Sequence, residues 1–557
     1  MTDNDTDETR SSEQAFETLR GDFRALYDYI EEQATKNVAQ VAYSTDGRTF
    51  DYEAPLSLPA PIGSYVRLQT TDNREYLGQV TTKAVVKRKG PELGFELGDE
   101  QRAFVPEGMS LAAVTNQLRV LTLEGSGVLL GRVTDDAIRG TTNTDTFRNA
   151  TVDLAQPDVV NRYLGGSERT ASLPVARALY VDGSAPVHLD AGGFNRHTFL
   201  CGQSGSGKTF SLGIVLEQLL LETDLRVVII DPNSDFVRLN RLRPREEVNR
   251  FRSEPLSAAA YDRLAERYRE ATTGLRVFRP ASVAAADEEP LRVRFGDLSQ
   301  SEQATVLQLD PLDDRAEFNA FRQVVERLGD REYSWEDVRE AIAHDYTAEA
   351  RQLGLRIQNL DLADWDVWCS PGDPSLTDTL DGDDWRCLVV DIGTLGSPSE
   401  KSVVANAVLT HLWHDRTRRR PTLVVVDEAH NVCPADPTDD LVATSAATVD
   451  RIAAEGRKFG LYLLLSTQRP GKIHDNVLSQ CSNLVLMRMN SQADLDHLSA
   501  AFSQVPASLL AEANKFDLGE TVLAGRIVQN PTVAAFEGRL SEEGGSDVPT
   551  TWARRRA

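Results

Sequence analysis

Eight consecutive residues have the types and spacing of a loop that binds phosphate groups. Glycines allow such a loop to wrap an anion, and backbone N–H groups at the start of the following helix face the phosphates. The apolar run Thr198–Cys201 precedes the loop and apolar residues at helical spacing follow it, which is the strand, loop and helix context that this motif requires. We therefore predict a site for ATP, with Lys208 on the outer phosphates and the Thr209 hydroxyl on Mg²⁺. The predicted loop consists of Gly202, Gln203, Ser204, Gly205, Ser206, Gly207, Lys208 and Thr209.

A pair of acids forms the second group of residues that could do chemistry. The apolar run Leu423–Val426 ends in Asp427 and Glu428. At such a strand end Asp427 would lie beside the Mg²⁺, and Glu428 could orient or deprotonate the attacking water. Two solvated acids at the end of a strand are the structural alternative, and the upstream phosphate loop favours the catalytic interpretation.

Further polar residues follow other apolar runs. Gln468 comes after a strand-like run, and because the carboxyl ends of parallel strands line the ligand crevice, it could sense the γ-phosphate or the water. Arg457 could act across a subunit boundary as an arginine finger, and a solvated arginine at a helix end is the equally weighted alternative. For Asp231 and Asp235, support of Mg²⁺ or water and capping of the next helix both remain open.

The four residues Asp427–His430 spell the DEAH box of helicases with two nucleotide-binding lobes. A second lobe typically needs well over 100 residues downstream. Only about 130 residues follow, and the first core consumes most of them. We therefore expect a composite active site made by assembling subunits rather than by a second lobe.

The elements that must position these residues indicate an α/β protein. From residue 196 onward apolar strands alternate with helices, which predicts a RecA-like P-loop core with a parallel sheet. Short strands separated by turn residues precede it and predict a small β-barrel. The predicted organisation is an acidic tail and helical arm (1–58), a β-barrel (59–190), an ATPase core (191–240 and 372–535), a helical insertion (241–371) and a flexible tail (536–557).

Composition limits the environment more than the function. The net charge is −25, and only nine of the 60 basic residues are Lys, a balance that resembles proteins from salt-loading halophiles. Because the whole proteome of a halophile is acidic, the charge does not exclude a nucleic-acid partner. No apolar stretch approaches the roughly 18 residues of a membrane span. With a polar N-terminus and scattered cysteines, the chain is expected to be cytoplasmic, with no membrane partner.

The order of these parts resembles the archaeal HerA family within the HerA/FtsK group of hexameric translocases. The resemblance covers about residues 62–531 and rests on the phosphate loop with Arg196 ahead of it, Asp231-Pro after the second strand, Val426–His430, Glu455–Gly460 and Ser466–Pro470. One departure is clear, since the family commonly has Asp-Pro-His-Gly-Glu where this chain has Asp-Pro-Asn-Ser-Asp at residues 231–235.

The resemblance implies a homo-hexameric ring around double-stranded DNA, ATP-driven translocation or unwinding, and a NurA-type nuclease partner in DNA-end resection and recombinational repair. Carried over residue by residue, it implies phosphate contacts from Lys208 and a metal site at Thr209 and Asp427. It also implies catalytic roles for Glu428, Gln468, Arg457 and Arg196, the last two at a neighbouring subunit's site.

Two questions remain open at the level of sequence. A nucleotide-switched ATPase module that assembles a defence or conjugation-type system is the alternative function. The sequence does not identify the residues that line a DNA pore, although the basic runs Lys87–Lys89 and Arg418–Arg420 are candidates. Each of these runs is more often a solvated turn.

Overall fold

The computed structural model describes residues 38–89, 119–135, 137–165, 171–181, 185–329, 333–370 and 372–545. The chain divides into two compact units. The first comprises residues up to Tyr163 together with Leu179–Ala185, and the second comprises Leu164–Ala178 and the chain from Pro186 onward. Most of the predicted helical arm, residues 1–37, lies outside the described residues. Among those that are described, no helix has both the length and the apolarity to cross a membrane.

The first unit is built around a closed barrel of six strands in the order β2-β1-β7-β3-β4-β5, closed by pairing of β2 with β5. In β2 the buried residues Phe50, Tyr52 and Ala54 alternate with more exposed ones, which is the pattern of a strand with one face on a core. A short strand, β6, pairs with the end of β5. The strands are β1 Val41–Ser44, β2 Thr49–Pro55, β3 Tyr65–Gln69, β4 Glu75–Lys89, β5 Arg119–Val133, β6 Ile138–Arg139 and β7 Phe147–Leu154.

The barrel differs from the predicted range 59–190 at both ends. It begins at Val41, because two short alternating segments form a hairpin around the turn Asp46-Gly47. Asp46 stabilises this turn by accepting hydrogen bonds from the backbone N–H groups of Arg48 and Thr49. At the other end, the strand-like runs near residues 172–190 leave the barrel and join the sheet of the second unit.

A twelve-stranded sheet organises the second unit, in the order β13-β12-β14-β11-β15-β16-β10-β17-β18-β19-β8-β9. Pairing is parallel from β13 to β17 and antiparallel from β17 to β9. The strands are β8 Ser172–Ala178, β9 Pro186–Asp190, β10 His197–Cys201, β11 Arg226–Asp231, β12 Leu275–Arg279, β13 Glu289–Pro290, β14 Cys387–Asp391, β15 Thr422–Val426, β16 Leu461–Thr467, β17 Cys481–Met487, β18 Glu520–Ala524 and β19 Thr532–Phe536.

The central strands are short and apolar because helices cover both faces of the sheet. All five residues of β10, β14 and β15 are buried, as expected for parallel strands enclosed on both sides. The helices are α1 Pro157–Leu164, α2 Lys208–Glu222, α3 Arg245–Asn249, α4 Ala258–Ala271, α5 Gln300–Val306, α6 Arg315–Leu328, α7 Trp335–Ala343, α8 Ala348–Asn359, α9 Leu376–Asp381, α10 Pro398–His414, α11 Asp440–Glu455, α12 Asp475–Ser479, α13 Gln492–Ala501 and α14 Ala507–Ala511.

Residues 241–371, predicted as a helical insertion, contain strands as well as helices α3 to α8. Strand β12 pairs in parallel with β14, from Leu275 opposite Cys387 to Phe278 opposite Val390. This pairing covers an edge of the sheet that would otherwise present unpaired backbone groups. The segment therefore extends the parallel sheet by β12 and β13 in addition to supplying helices.

The prediction of a flexible tail over residues 536–557 needs correction for its described part, which ends at residue 545. Arg539, Leu540 and Ser541 are buried, and the backbone N–H groups of Leu540 and Ser541 donate to the carboxylate of Glu217 in α2. A polar sequence packs here because its charges meet a buried opposite charge.

Candidate nucleotide site

The predicted phosphate loop joins β10 to α2 at the carboxyl edge of the sheet. Gly205 and Gly207 have φ values of 72° and 92°, in the left-handed region that favours glycine. The loop's carbonyl groups are held from outside, because Arg488 Nη2 donates to the Gly205 oxygen at 2.9 Å and the Gly519 N–H donates to the Ser206 oxygen at 3.0 Å. Gly202 and Ser206 are buried, Gln203 and Gly207 are half-buried, and Ser204 and Gly205 are exposed.

Lys208 lies between the two predicted acids. Its ammonium group is 2.9 Å from Asp427 Oδ1, 3.0 Å from Glu428 Oε1 and 3.1 Å from Ser466 Oγ. Burial alone would lower the pKa of Lys208, but the carboxylates of Asp427 and Glu428 outweigh it, and the pKa is raised. Lys208 is therefore a fixed positive charge at this edge of the sheet.

Glu428 is held in an unusual backbone conformation by its surroundings. Its φ is 43°, in a region that residues other than glycine seldom occupy, and such strain is typical of functional sites. Gln468 Nε2 donates to Glu428 Oε1 at 2.8 Å, so the predicted sensor contacts the predicted catalytic acid. His430 Nδ1 lies 3.3 Å from the other carboxylate oxygen, Glu428 Oε2. Burial lowers the pKa of His430, which favours the neutral ring.

The two acids left undecided by the sequence have different surroundings. Asp231 is fully buried and accepts from the backbone N–H groups of Asn233, Asp235 and Phe236, so it organises the turn after β11. Burial raises the pKa of Asp231 to about 7. Asp235 instead faces Thr209, whose hydroxyl lies 3.4 Å from Asp235 Oδ2. Burial and then the nearby Asp427 raise the pKa of Asp235 to about 6.

The oxygen atoms at this edge fit the predicted Mg²⁺ ion. Among the described residues, Asp427 Oδ2 and Ser206 Oγ are buried without a hydrogen-bond partner. Buried polar atoms normally have a partner, so these two indicate a ligand or water between the loop and β15. Mg²⁺ takes oxygen ligands and keeps several waters, which suits the Thr209 hydroxyl and one carboxylate of Asp427.

Arg196 and Arg457 lie at the opposite edge of the same sheet. Arg196 directly precedes β10, and Arg457 lies in a short 3₁₀ helix, Gly456–Phe459, before β16. At about 3.3 Å per residue, Arg196 is about 16 Å along the strand from Cys201, where the phosphate loop begins. Both arginines lower the pKa of His197, after its burial, so they lie near each other at this edge. Neither can reach the phosphate loop of its own chain.

Several residues that support the site were not found from the sequence. Ser466 was recognised only as part of a motif, and Arg488 follows β17 far along the chain. Arg539 carried no signal at all, because it lies in a polar segment without periodicity. A sequence search for basic or hydroxyl residues directly after apolar strands would find Arg488, whereas no local pattern identifies Arg539.

Arg539 and Glu217 form a buried link between α2 and the segment after β19, and we call this pair with Ser541 the α2 clasp. Arg539 Nη1 donates to the Thr209 carbonyl at 3.2 Å, and Arg539 Nε donates to Ser541 Oγ at 3.3 Å. Ser541 Oγ in turn donates to Glu217 Oε1 at 2.5 Å. A Cβ atom on Gly213 would lie 2.5 Å from Arg539 Cζ, so only glycine admits the guanidinium group. The clasp thereby fixes the first turn of α2, which carries Lys208 and Thr209.

The sheet order and the phosphate loop define the class of the second unit. The loop strand β10 is separated from the acid strand β15 by the sensor strand β16, and the loop leads into a buried helix. This arrangement is that of a RecA-like P-loop domain, a nucleotide-binding α/β fold, as the sequence predicted. The predicted fold class is confirmed.

Comparison with known proteins shows which family this chain resembles. The family model described as "Helicase HerA, central domain" matches residues 178–363, which include the phosphate loop. Curated relatives include the DNA double-strand break repair helicase HerA of Sulfurisphaera tokodaii, 29% identical over 170 residues, and that of Sulfolobus acidocaldarius, 31% identical over 180 residues. The matches cover 28% and 30% of this chain. Residues 178–363 are similar to the central domain of HerA, and the predicted resemblance to the HerA family is confirmed.

The extent of these similarities is limited. The chain spans about a third of the length of the curated relatives it matches, 33% and 35% respectively. Among solved structures, VirB4 of Thermoanaerobacter pseudethanolicus is 16% identical with a TM-score of 0.44, covering 67% of this chain and 98% of that one. The bacterial conjugative coupling protein TrwB is 14% identical with a TM-score of 0.43, covering 69% and 94%.

Proposed function

We propose that this chain hydrolyses ATP and uses the energy to move along or unwind double-stranded DNA. The observation that carries the proposal is the convergence of Lys208, Asp427, Glu428 and Gln468 within hydrogen-bonding distance at one edge of the sheet. These are the groups that phosphoryl transfer requires, namely a phosphate cation, a metal carboxylate, an acid for water and a residue that orients it.

Each residue has a definite part in the proposed reaction. The loop N–H groups and Lys208 bind the phosphates, while Thr209 and Asp427 would hold Mg²⁺, which would neutralise phosphate charge. Glu428 accepts a proton from the attacking water, and Gln468 keeps the carboxylate of Glu428 oriented toward it. Asp235, whose Oδ2 lies 3.4 Å from the Thr209 hydroxyl, would be a further oxygen ligand available beside this metal site.

The DNA part of the proposal rests on the family. The relatives from Sulfurisphaera tokodaii and Sulfolobus acidocaldarius are named as helicases of DNA double-strand break repair. By extension, we propose that the chain forms a homo-hexameric ring on DNA and acts with a NurA-type nuclease in end resection. The placement of Arg196 and Arg457 supports a ring, because these arginines can serve a phosphate site only on a neighbouring subunit.

The proposal is tested by steady-state ATP hydrolysis at high salt, with and without duplex DNA. Hydrolysis that duplex DNA stimulates severalfold and that Lys208→Ala abolishes supports the motor. Turnover that does not respond to DNA would support the alternative, a nucleotide-switched assembly module. The native mass of the same preparation is then measured. The ring predicts six times the 61.4 kDa mass of the chain, and a stable monomer would contradict the ring.

Mixed subunits test whether Arg457 acts on a neighbour. Neither Arg457→Ala nor Lys208→Ala alone is expected to hydrolyse ATP appreciably. In a mixture, an intact Lys208 of one subunit can face an intact Arg457 of another, so turnover should partly recover. An absence of recovery at every mixing ratio would count against the shared site.

A further inference from the structure

A groove of about 830 Å³ lies beside the candidate nucleotide site, at the carboxyl ends of β11, β14, β15 and β16. Its walls are the loops that follow these strands, chiefly residues 392–402, 430–442 and 469–472. Two of these loops follow the strands that carry Glu428 and Gln468. Whatever occupies the groove therefore contacts the loops next to the catalytic acid.

Three cationic side chains line the groove. Arg469 and Lys472 are exposed, and within the described residues neither forms an ion pair. Lys401 is half-buried, and its ammonium group donates to the Gly393 carbonyl at 3.2 Å. In a chain with a net charge of −25, this concentration of unneutralised cations in one concave surface indicates an anionic ligand.

Two acids, Asp436 and Asp439, share the groove with the three cations, so the cations remain in excess. Asp439 caps α11 by accepting from the Val442 N–H at 3.0 Å, so its carboxylate is oriented toward the start of that helix. Asp436 is exposed on the loop before it. Neutral donors complete the lining, with the amides of Asn233 and Asn431 and the backbone of Gly471. Such neutral donors and basic side chains together are typical of contacts to the DNA backbone.

Three arginines in the basic runs that the sequence offered as DNA contacts are paired with acids. Arg88 lies 3.0 Å from Glu53 and 2.5 Å from Glu124 in the barrel. Arg418 pairs with Asp415 at 2.8 Å, and Arg420 pairs with Asp383 at 2.9 Å. Arg469 and Lys472 are therefore better placed to take phosphates than these three arginines.

Two hydrogen bonds and one close contact connect the groove to the catalytic acid. The backbone N–H of Arg469 donates to Thr467 Oγ1 at 3.0 Å, and Thr467 Oγ1 is 3.1 Å from His430 Nδ1. His430 Nδ1 is in turn 3.3 Å from Glu428 Oε2. A displacement of Arg469 by a ligand would alter the bond to Thr467, and with it the position of His430 against Glu428.

We propose that this groove binds the phosphodiester backbone of DNA and that Thr467 and His430 transmit the binding to Glu428. The inference rests on the proposed ATPase and adds the surface that contacts DNA and a route by which DNA stimulates hydrolysis. His430 acts here as a positioning residue, since it touches the acid and not the phosphates.

The groove is tested by equilibrium binding of a fluorescent duplex over a series of KCl concentrations, with Lys472→Glu against Arg322→Glu. Arg322 is an exposed arginine on α6, paired only with Glu326 among the described residues, so it controls for the same reversal of charge. Lys472→Glu should weaken binding at least tenfold and reduce the slope of log affinity against log salt by about 1. Lys472→Gln, which removes the charge without reversing it, should give an intermediate loss, while Arg322→Glu should match the unmodified chain.

The connection is tested with two substitutions of His430. The asparagine amide nitrogen falls near the position of histidine Nδ1, whereas that of glutamine falls nearer Nε2. Because Nδ1 makes both contacts, His430→Asn should keep most of the stimulation by DNA and His430→Gln should lose it. The measured quantity is the ratio of ATP turnover with and without duplex DNA, and equal ratios in the two variants would overturn the connection.

The outcomes separate this inference from the proposed function. If the unmodified chain neither binds DNA nor responds to it, the motor itself is wrong. If it responds to DNA and Lys472→Glu behaves like Arg322→Glu, the groove is not the DNA surface, although the motor stands. Should Lys472→Glu instead reduce the native mass, the groove is an interface between copies of the chain, which also overturns the inference.

Discussion

Replacing Arg539 by Met is expected to loosen the helix that carries the phosphate loop. Arg539 and Glu217 are both fully buried, and the substitution leaves the Glu217 carboxylate without its cation. Breaking a buried ion pair from one side costs about 3–5 kcal/mol, because the remaining charge stays desolvated. The methionine side chain fills much of the same volume, so the loss of charge rather than a cavity dominates this cost.

Hydrogen–deuterium exchange of individual amides measures this effect where it occurs. A loss of 3 kcal/mol or more in local opening free energy corresponds to exchange faster by about 100-fold or more. The increase is expected in α2, and no change is expected in β2 and β5 of the barrel, which lie in the other unit. Arg241→Met is the matched control, since Arg241 is 45% exposed in a surface pair with Asp287. Such a pair contributes about 0–1 kcal/mol.

A second readout links the clasp to the nucleotide. Arg539 Nη1 donates to the Thr209 carbonyl, and one such hydrogen bond contributes about 1 kcal/mol. The KM for Mg·ATP is therefore expected to rise about fivefold in Arg539→Met. Unchanged amide exchange in α2 together with an unchanged KM would refute the role given to the clasp.

Three other predictions concern the site, acid stability and salt. Glu428→Gln should lower ATP turnover by about 10²- to 10⁴-fold while nucleotide binding persists, because the amide cannot accept the proton of the water, and intact turnover would contradict the assignment. His197 accepts from the Leu463 N–H and contacts the Ala453 carbonyl, and its burial lowers the pKa from 6.5 to about 4. The unfolded chain then binds a proton that the folded chain does not, so up to about 3 kcal/mol of stability is lost as pH falls from 6.5 to 4. Chemical unfolding at a series of pH values measures how steeply the free energy of unfolding falls over this range. The fall should be smaller in His197→Gln, and an equal fall in both proteins would argue against this role of His197. Because the net charge is −25, raising KCl from 0.1 to 1 M shortens the Debye length from about 10 to 3 Å and should raise the thermal midpoint, whereas a falling midpoint would oppose the halophile interpretation.

The core of the fold was predictable from sequence because its signals are local. Strand, loop and helix follow each other within residues 197–222, and the other central strands are uninterrupted apolar runs. The placement of β8 and β9 was not predictable in the same way. Their alternating pattern suits a barrel equally well, and only their pairing with β19, more than 350 residues away in the chain, assigns them to the sheet of the second unit.

The candidate site was likewise predictable from the sequence only in part. Lys208, Asp427 and Gln468 each follow an apolar run, so the rule that strand ends line the crevice brings them together. The different surroundings of Asp231 and Asp235 depend on the shape of one turn, which the departure from the family's Asp-Pro-His-Gly-Glu pattern obscures. Arg539 became visible only in three dimensions, since a buried arginine in a polar segment has no sequence pattern of its own.

The position of β10 in the sheet has a consequence for folding during synthesis on the ribosome. His197 accepts its hydrogen bond from Leu463, which is 266 residues further along the chain, and β17 on the other side comes later still. At roughly 5–20 residues per second, ribosomes need about 15–60 s to supply these neighbours. During that time the apolar side chains of Phe199 and Leu200 lack both of the strands that will flank them. The phosphate loop therefore gains its final support late in synthesis, and nucleotide binding is expected to mark nearly completed chains and to be absent from shorter nascent ones.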